Sequence, residues 1–356
     1  MSQAPCVVAV VVAHNPGDYF SDCLESIAQS NYPNLVTVVV DSSNEEVDTR
    51  EVVEAILPDA LYRRVSQEVG YAQACNDGAA LVTEASHLLF LHDDVALAPE
   101  AISAMMEVAF SKNAGIVTPK VVLWDSPSQI LQLGWDLDRT AAPSNRIDVG
   151  DLDQAQYDEV DEVMVAPGGS FLIRKDLFDA LGGFDPSVYL FGEDVDLSWR
   201  TRLVGARIYT APLARVRHKM ISTLSPVRRR QQRRSLTEPN RERGGVDRAT
   251  RLRYARRHQL RILIKNQTGL SRVRSLSYFV ALAALEALYY LVTGRVRSAL
   301  AILEAVGWNL RDYRELRREA ARVRSFQASG NGPPRFVSGS AKFSGYLATR
   351  RSVRRL

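Results

Sequence analysis

Three carboxylates, Glu193, Asp194 and Asp196, crowd into the stretch Gly182-Gly-Phe-Asp-Pro-Ser-Val-Tyr-Leu-Phe-Gly-Glu-Asp-Val-Asp-Leu-Ser-Trp-Arg200. Their neighbours Phe191, Val195, Leu197 and Trp199 are apolar, unlike the surroundings of a solvated acidic face. Carboxylates in such a setting are partly withdrawn from water. Each then needs a cation, a hydrogen-bond donor or a raised pKa. That pattern marks a site.

Other residues able to do chemistry stand where apolar runs end. His92-Asp93-Asp94 follows Leu88-Leu-Phe-Leu91, and one or two carboxylates there can hold Mg²⁺ or Mn²⁺ while a diphosphate completes the shell. A turn with a helix-capping aspartate uses the same residues. Asp41 follows Val36-Thr-Val-Val-Val40, where it can accept from a nucleobase or ribose, or close a turn. His218 follows Ala214 to Arg217 and is open to a metal or a structural role. Trp199 can stack under a sugar or fill the core. No G-x-G-x-x-G follows the first apolar run and no Walker A sequence occurs, and a divalent cation can do the work of a phosphate loop instead.

The elements that must hold these residues alternate. Val7 to Ala13 is apolar on both faces, as in a central parallel strand covered on both sides. Helical patterns are expected at Asp18–Gln29, Glu51–Leu57, Tyr71–Glu84 and Pro99–Phe110. Strands are expected at 36–40, 61–65, 88–91 and 116–122. This βαβα order predicts an α/β, doubly wound, mostly parallel sheet, whose ligands sit beyond the carboxyl ends of the strands. Residues 123–163 are irregular and acidic, long enough for an elaborated loop over a binding site. A strand pair is expected over Val163–Ile173, a helix from Lys175 to Leu181, another from about Val195 to Val204, and short strands at 206–209 and 214–217.

The 356 residues are 46% hydrophobic and 24% charged, ordinary for a folded chain, with a net charge of +4. Arginine dominates after about Arg200, which suits a basic tail that meets anionic lipid or phosphate. Cys6, Cys23 and Cys75 form no disulfide framework, and no basic n-region precedes the first apolar run. Both favour a reducing compartment. The expected organisation is a body over 1–225, a basic linker over 226–248, a helical, membrane-associated region over 249–325 and a basic tail over 326–356. The run 276–292 is borderline for a span and contains Glu286, so an interfacial helix is expected.

Asp41, His-Asp-Asp94, Pro-Gly-Gly-Ser170, Gly-Gly-Phe-Asp185, Gly-Glu-Asp-Val-Asp196 and His218 follow one another in the order and rough spacing of family 2 glycosyltransferases. Over about residues 5–220 the sequence resembles that family, closest to its bacterial rhamnosyl- and galactofuranosyltransferases. The resemblance implies a GT-A fold, with a nucleotide-sugar half over 1–120 and an acceptor half over 121–225, and an inverting transfer of sugar from a nucleotide-diphosphate donor to a cell-wall or lipid-linked glycan. It assigns Asp194 as catalytic base with Glu193 beside it. It assigns Asp94 and His218 to a divalent cation, and Asp41, Asn76, Asp93 and Gly169 to the donor. His92 stands where the family often has an acid. Asp196 is expected to satisfy backbone donors at a helix start. Polymerising synthases carry a Q-x-x-R-W motif that this chain lacks. These implications place the protein at the cytoplasmic face of the cell membrane. The competing reading is a non-catalytic binder of nucleotide sugars or anionic polymers, with Arg228–Arg234 as its surface. Nucleic acid is the less favoured partner of that run.

Overall fold

In the computed structural model, which describes residues 4–220 and 247–327, strand β1 (Val7–Ala13) is buried along its whole length. It is followed by α1 (Tyr19–Ala28), β2 (Leu35–Asp41), α2 (Arg50–Ile56), β3 (Leu61–Arg64), α3 (Tyr71–Ala79), β4 (His87–His92), β5 (Val95–Leu97), α4 (Ala101–Ser111) and β6 (Ile116–Leu123). Alternate residues of β1 enter different cores, as the period of a strand requires. Val7, Ala9 and Val11 pack with Phe20 and Leu24 of α1 and Met105 of α4. Val8, Val10 and Val12 pack with Ala72 and Cys75 of α3. The unbroken apolar run is thus a strand covered on both faces.

The chain continues through β7 (Ile130–Gln132), β8 (Trp135–Leu137), β9 (Pro143–Asn145), β10 (Ser170–Arg174), α5 (Lys175–Leu181), α6 (Glu193–Leu203) and β11 (Ile208–His218). The main sheet runs β3-β2-β1-β4-β10-β6-β11-β5, with β7 beside β6, while β8 and β9 form a separate ribbon. The pairs β1–β2, β1–β4 and β2–β3 are parallel. β10 inserts antiparallel between β4 and β6, so the sheet is parallel in its first half and mixed beyond.

Two local expectations are corrected. The strand pair over 163–173 is a single strand, β10, because Pro167-Gly-Gly169 cannot continue a ladder. The two short strands after residue 205 are one, β11, whose register with β6 shifts between Ala211 and Arg215. Pro212 lies in that bulge, where its missing N–H costs no ladder bond.

Four helices complete the described residues: α7 (Arg248–Asn266), α8 (Gly269–Val292), α9 (Val296–Arg311) and α10 (Tyr313–Gln327). They share a core with the first 220 residues. Val195, Trp199 and Leu203 of α6 pack with Leu260 and Leu263 of α7, Phe279 and Tyr290 of α8 and Ile302 of α9. Helix α6 is consequently buried nearly all round, which explains apolar residues on every side of its carboxylates. The Arg228–Arg234 run and almost all of the expected linker and tail lie outside the described residues.

Candidate active site

Two strand ends bring three potential ligands together. His92 closes β4, Asp94 follows it, and His218 closes β11 opposite Val95 of β5. The ligand atoms of His92, Asp94 and His218 all lie within 4.8 Å of one another. His218 Nε2 is 3.1 Å from Asp94 Oδ1, and His92 Nδ1 is 3.8 Å from the same oxygen. Burial drives the His92 pKa down to about 4, leaving the neutral imidazole that a metal requires. The ring of Tyr71 meets His92 edge-on at 4.7 Å. Two imidazoles and one carboxylate fit a divalent cation, and such a nitrogen-rich set suits Mn²⁺ better than Mg²⁺.

The second group starts α6. Asp194 Oδ2 accepts from the Gly168 amide at 2.7 Å, and its Oδ1 accepts from Val195 N at 2.7 Å. Burial raises the pKa of Asp194 despite these bonds. Glu193 is pushed up to about 8, by burial first and then by the charge of Asp194. Its Oε2 is buried with no hydrogen-bond partner. Asp196 behaves differently. It does not cap the helix start as expected. It is fully buried and ion-paired with Arg200 (2.8 Å) and Lys265 (2.7 Å), and Asn266 also donates to it. Burial works against its ionisation, but Arg200 and Lys265 outweigh burial and keep it low.

One dipeptide joins the two groups. A Cβ on Gly168 would lie 3.3 Å from Asp194 Oδ2 and 3.4 Å from Glu193 Oε1. A Cβ on Gly169 would lie 3.2 Å from His218 Cε1 and 3.4 Å from His92 Nδ1. Gly169 has φ +101°, and its carbonyl accepts from His92 N at 2.9 Å. Consecutive Cα atoms are about 3.8 Å apart, so the carboxylate pair and the histidine cluster flank one backbone segment. A cavity of about 590 Å³, lined by Lys112, Arg174, Asp176 and Arg207 among others, opens at the opposite ends of β10 and β11 and contains neither group.

Residues 4–237 match the family described as Glycosyltransferase like family 2. The chain belongs to that family. Among curated relatives, the O-antigen biosynthesis protein RfbC of Myxococcus xanthus is 22% identical over 219 residues, covering 60% of this chain and 17% of RfbC. The uncharacterized Mycobacterium tuberculosis protein Rv1525 is 26% identical over 155 residues, covering 42% of this chain and 51% of that protein. The match thus spans about half or less of these relatives. Two solved structures are also similar. GalNAc-T7 with UDP, GalNAc and Mn²⁺ is 20% identical with a TM-score of 0.49, over 60% of this chain and 44% of that one. The mannosyltransferase PcManGT of Pyrobaculum calidifontis with GDP-Man and Mn²⁺ is 16% identical with a TM-score of 0.48, over 92% and 87%.

The remaining residues that the family resemblance pointed to occupy varied positions. Asp41 is fully buried and fully engaged, accepting from Ser43 N (2.8 Å), Thr49 Oγ1 (2.7 Å), Tyr62 OH (2.7 Å) and Arg64 (3.2 Å). Burial raises its pKa, and the bonds from Ser43, Thr49 and Tyr62 more than reverse this. Asn76 clamps the Gly-Gly-Phe-Asp loop, accepting from Phe184 N at 2.8 Å and donating to Phe184 O at 3.0 Å. Asp93 accepts from His14 N at 2.9 Å, and burial followed by the Asp94 charge pushes it up to about 8. Trp199 is fully buried in the core, not available to a sugar. Pattern reading did not single out His14, Ser42 or Tyr71. The signal for the first two was their place just beyond β1 and β2, whereas Tyr71 is brought beside His92 only by the packing of α3.

Proposed function

We propose that the protein is an inverting glycosyltransferase that moves a sugar from a nucleotide-diphosphate donor to a glycan or glycolipid acceptor. The observation that carries this reading is the Gly168–Gly169 segment, which holds a carboxylate pair on one side and a cation cluster on the other. His92, Asp94 and His218 would hold Mn²⁺, which would supply positive charge to the donor diphosphate. Asp194 takes the proton of the acceptor hydroxyl as that oxygen bonds the anomeric carbon and the diphosphate departs from the opposite face. Gly168 N–H aligns the Asp194 carboxylate for this step. A binding protein has no use for a base facing a cation site. A surface glycan as acceptor accords with the name of the Myxococcus relative; rhamnose or galactofuranose is the favoured sugar from the resemblance.

The membrane is the proposed partner of the C-terminal helices, at the cytoplasmic face. Among the described residues, α8 is the one helix long and apolar enough to cross a bilayer by length and composition. Leu270, Val273, Val280, Leu285, Leu288 and Leu291 of α8, with Val296, Leu300, Leu303 and Leu310 of α9, are all exposed. Its other face carries Glu286, buried and paired with Arg256 of α7 at 2.9 Å. Crossing the bilayer would drag this pair into lipid, so α8 lies along the surface.

A screen of UDP, GDP and dTDP by calorimetry, with and without Mn²⁺, tests the enzyme reading. Binding of one nucleotide should depend on Mn²⁺ and be lost in Asp94→Ala. Nucleotide binding indifferent to the metal and to Asp94 would sink it.

A further inference from the structure

The turn that delivers the carboxylate pair is unusual. Phe191 has φ +65° and Gly192 has φ +105°, so two successive residues are left-handed immediately before α6. An aromatic residue resists this conformation, and it persists only where the surroundings impose it. The imposing group is on α7. His258 Nδ1 is 2.9 Å from the Leu190 carbonyl and 2.8 Å from that of Phe191. Two carbonyls require Nδ1 to carry the proton, which fixes the tautomer. The ring is fully buried, stacked on Tyr254 at 5.7 Å and met edge-on by Trp308 at 6.5 Å. A Cβ on Gly192 would lie 3.3 Å from His258 Cβ, so the turn sits directly on α7.

We propose that His258 is a positioning residue for the Glu193–Asp194 pair, its Nδ1–H holding the Leu190 and Phe191 carbonyls so that α6 begins with both carboxylates at Gly168. Lys265, about two turns further along α7 on the same face, secures the two flanks of the same segment. It is 2.5 Å from Asp185 before the turn and 2.7 Å from Asp196 after it. None of these contacts reaches His92, Asp94 or His218, which stand on β4, the turn after it, and β11. The proposal rests on the reading of Asp194 as the base. It assigns to the C-terminal helices a part in turnover that their sequence, outside the run of motifs, does not announce.

The test separates turnover from donor binding. His258→Phe keeps the stacked ring and removes the donor, whereas His258→Asn places an amide N–H where Nδ1 stood. With the nucleotide sugar chosen from a panel of UDP-, GDP- and dTDP-sugars, release of nucleoside diphosphate is followed alongside Mn²⁺-dependent nucleotide affinity. His258→Phe should lower kcat by about 100-fold, the cost of a small misplacement of a reacting group, with affinity unchanged. His258→Asn should recover much of the loss. The proposal is overturned if His258→Phe turns over normally, or if both variants lose turnover and nucleotide affinity together. Turnover that survives in Asp194→Asn overturns the base assignment instead, and a wild-type protein that turns over no donor overturns the enzyme reading with it.

Discussion

Neighbouring acids along α6 have opposite fates because their partners differ. Asp196 is met by Arg200 and Lys265 and stays ionised, whereas Glu193 has no cation beside it, only the Asp194 charge, and is withdrawn from water. Asp194→Asn should lower kcat by about 10²- to 10⁴-fold, the usual contribution of a general base, with Mn²⁺–nucleotide affinity intact. Retained turnover in steady-state assays would remove Asp194 from its role. Glu193 also makes a claim on stability. Its folded pKa of about 8 lies above the unfolded value of ~4.3. Between them the unfolded chain has lost a proton that the folded chain keeps, so stability present below ~4.3 falls as pH rises towards 8, by up to about 1.4 kcal/mol per unit. Urea titrations at about pH 5 and about pH 7.5 should show a smaller loss in Glu193→Gln than in wild type. The acids were legible in the sequence as a crowded set among apolar residues. Their division was only half legible, because Lys265 and Asn266 arrive from about 70 residues away in the chain.

At the scale of elements, the site is a meeting of strand ends. His92 and His218 are separated by 126 positions in sequence (218 − 92), yet β4 and β11 end at the same edge of the sheet. β10 lies between β4 and β6, and the Gly168–Gly169 segment enters it from the site. Gly169→Ala should be strained at φ +101° by about 1–2 kcal/mol and press its methyl on His218. Mn²⁺ affinity measured by calorimetry should fall, while Asp194 keeps its bond to the Gly168 amide. Unchanged Mn²⁺ affinity would separate Gly169 from the cation site. Strand ends were readable from apolar runs that stop at polar residues. The bulge in β11 was not, since two short runs around Pro212 read as two strands until their common partner β6 is seen.

At the scale of the whole molecule, one helical unit faces two ways. Inward, α7 lays His258, Arg261 and Lys265 against the segment that carries the acids. Outward, α8 and α9 expose many leucines and valines, Leu288 and Leu291 among them. Flotation with vesicles of mixed neutral and anionic lipid should recover the wild-type protein. Leu288→Ser combined with Leu291→Ser should weaken recovery without shifting Tm, because both side chains are exposed. Equal recovery of the double variant would remove this face from membrane contact.

The sequence by itself determined the alternation of strands and helices, the placing of Asp41 and His92–Asp94 at strand ends and the acidic cluster at 193–196. Each of these is a local pattern of apolar period and turn residues. Only the tertiary structure decided which groups meet. The pairing of His92 with His218, the burial that raises the Glu193 pKa and the clamp of His258 on the Phe191 turn all depend on contacts between segments far apart in the chain. Periodicity records which face of an element is covered, but not by what.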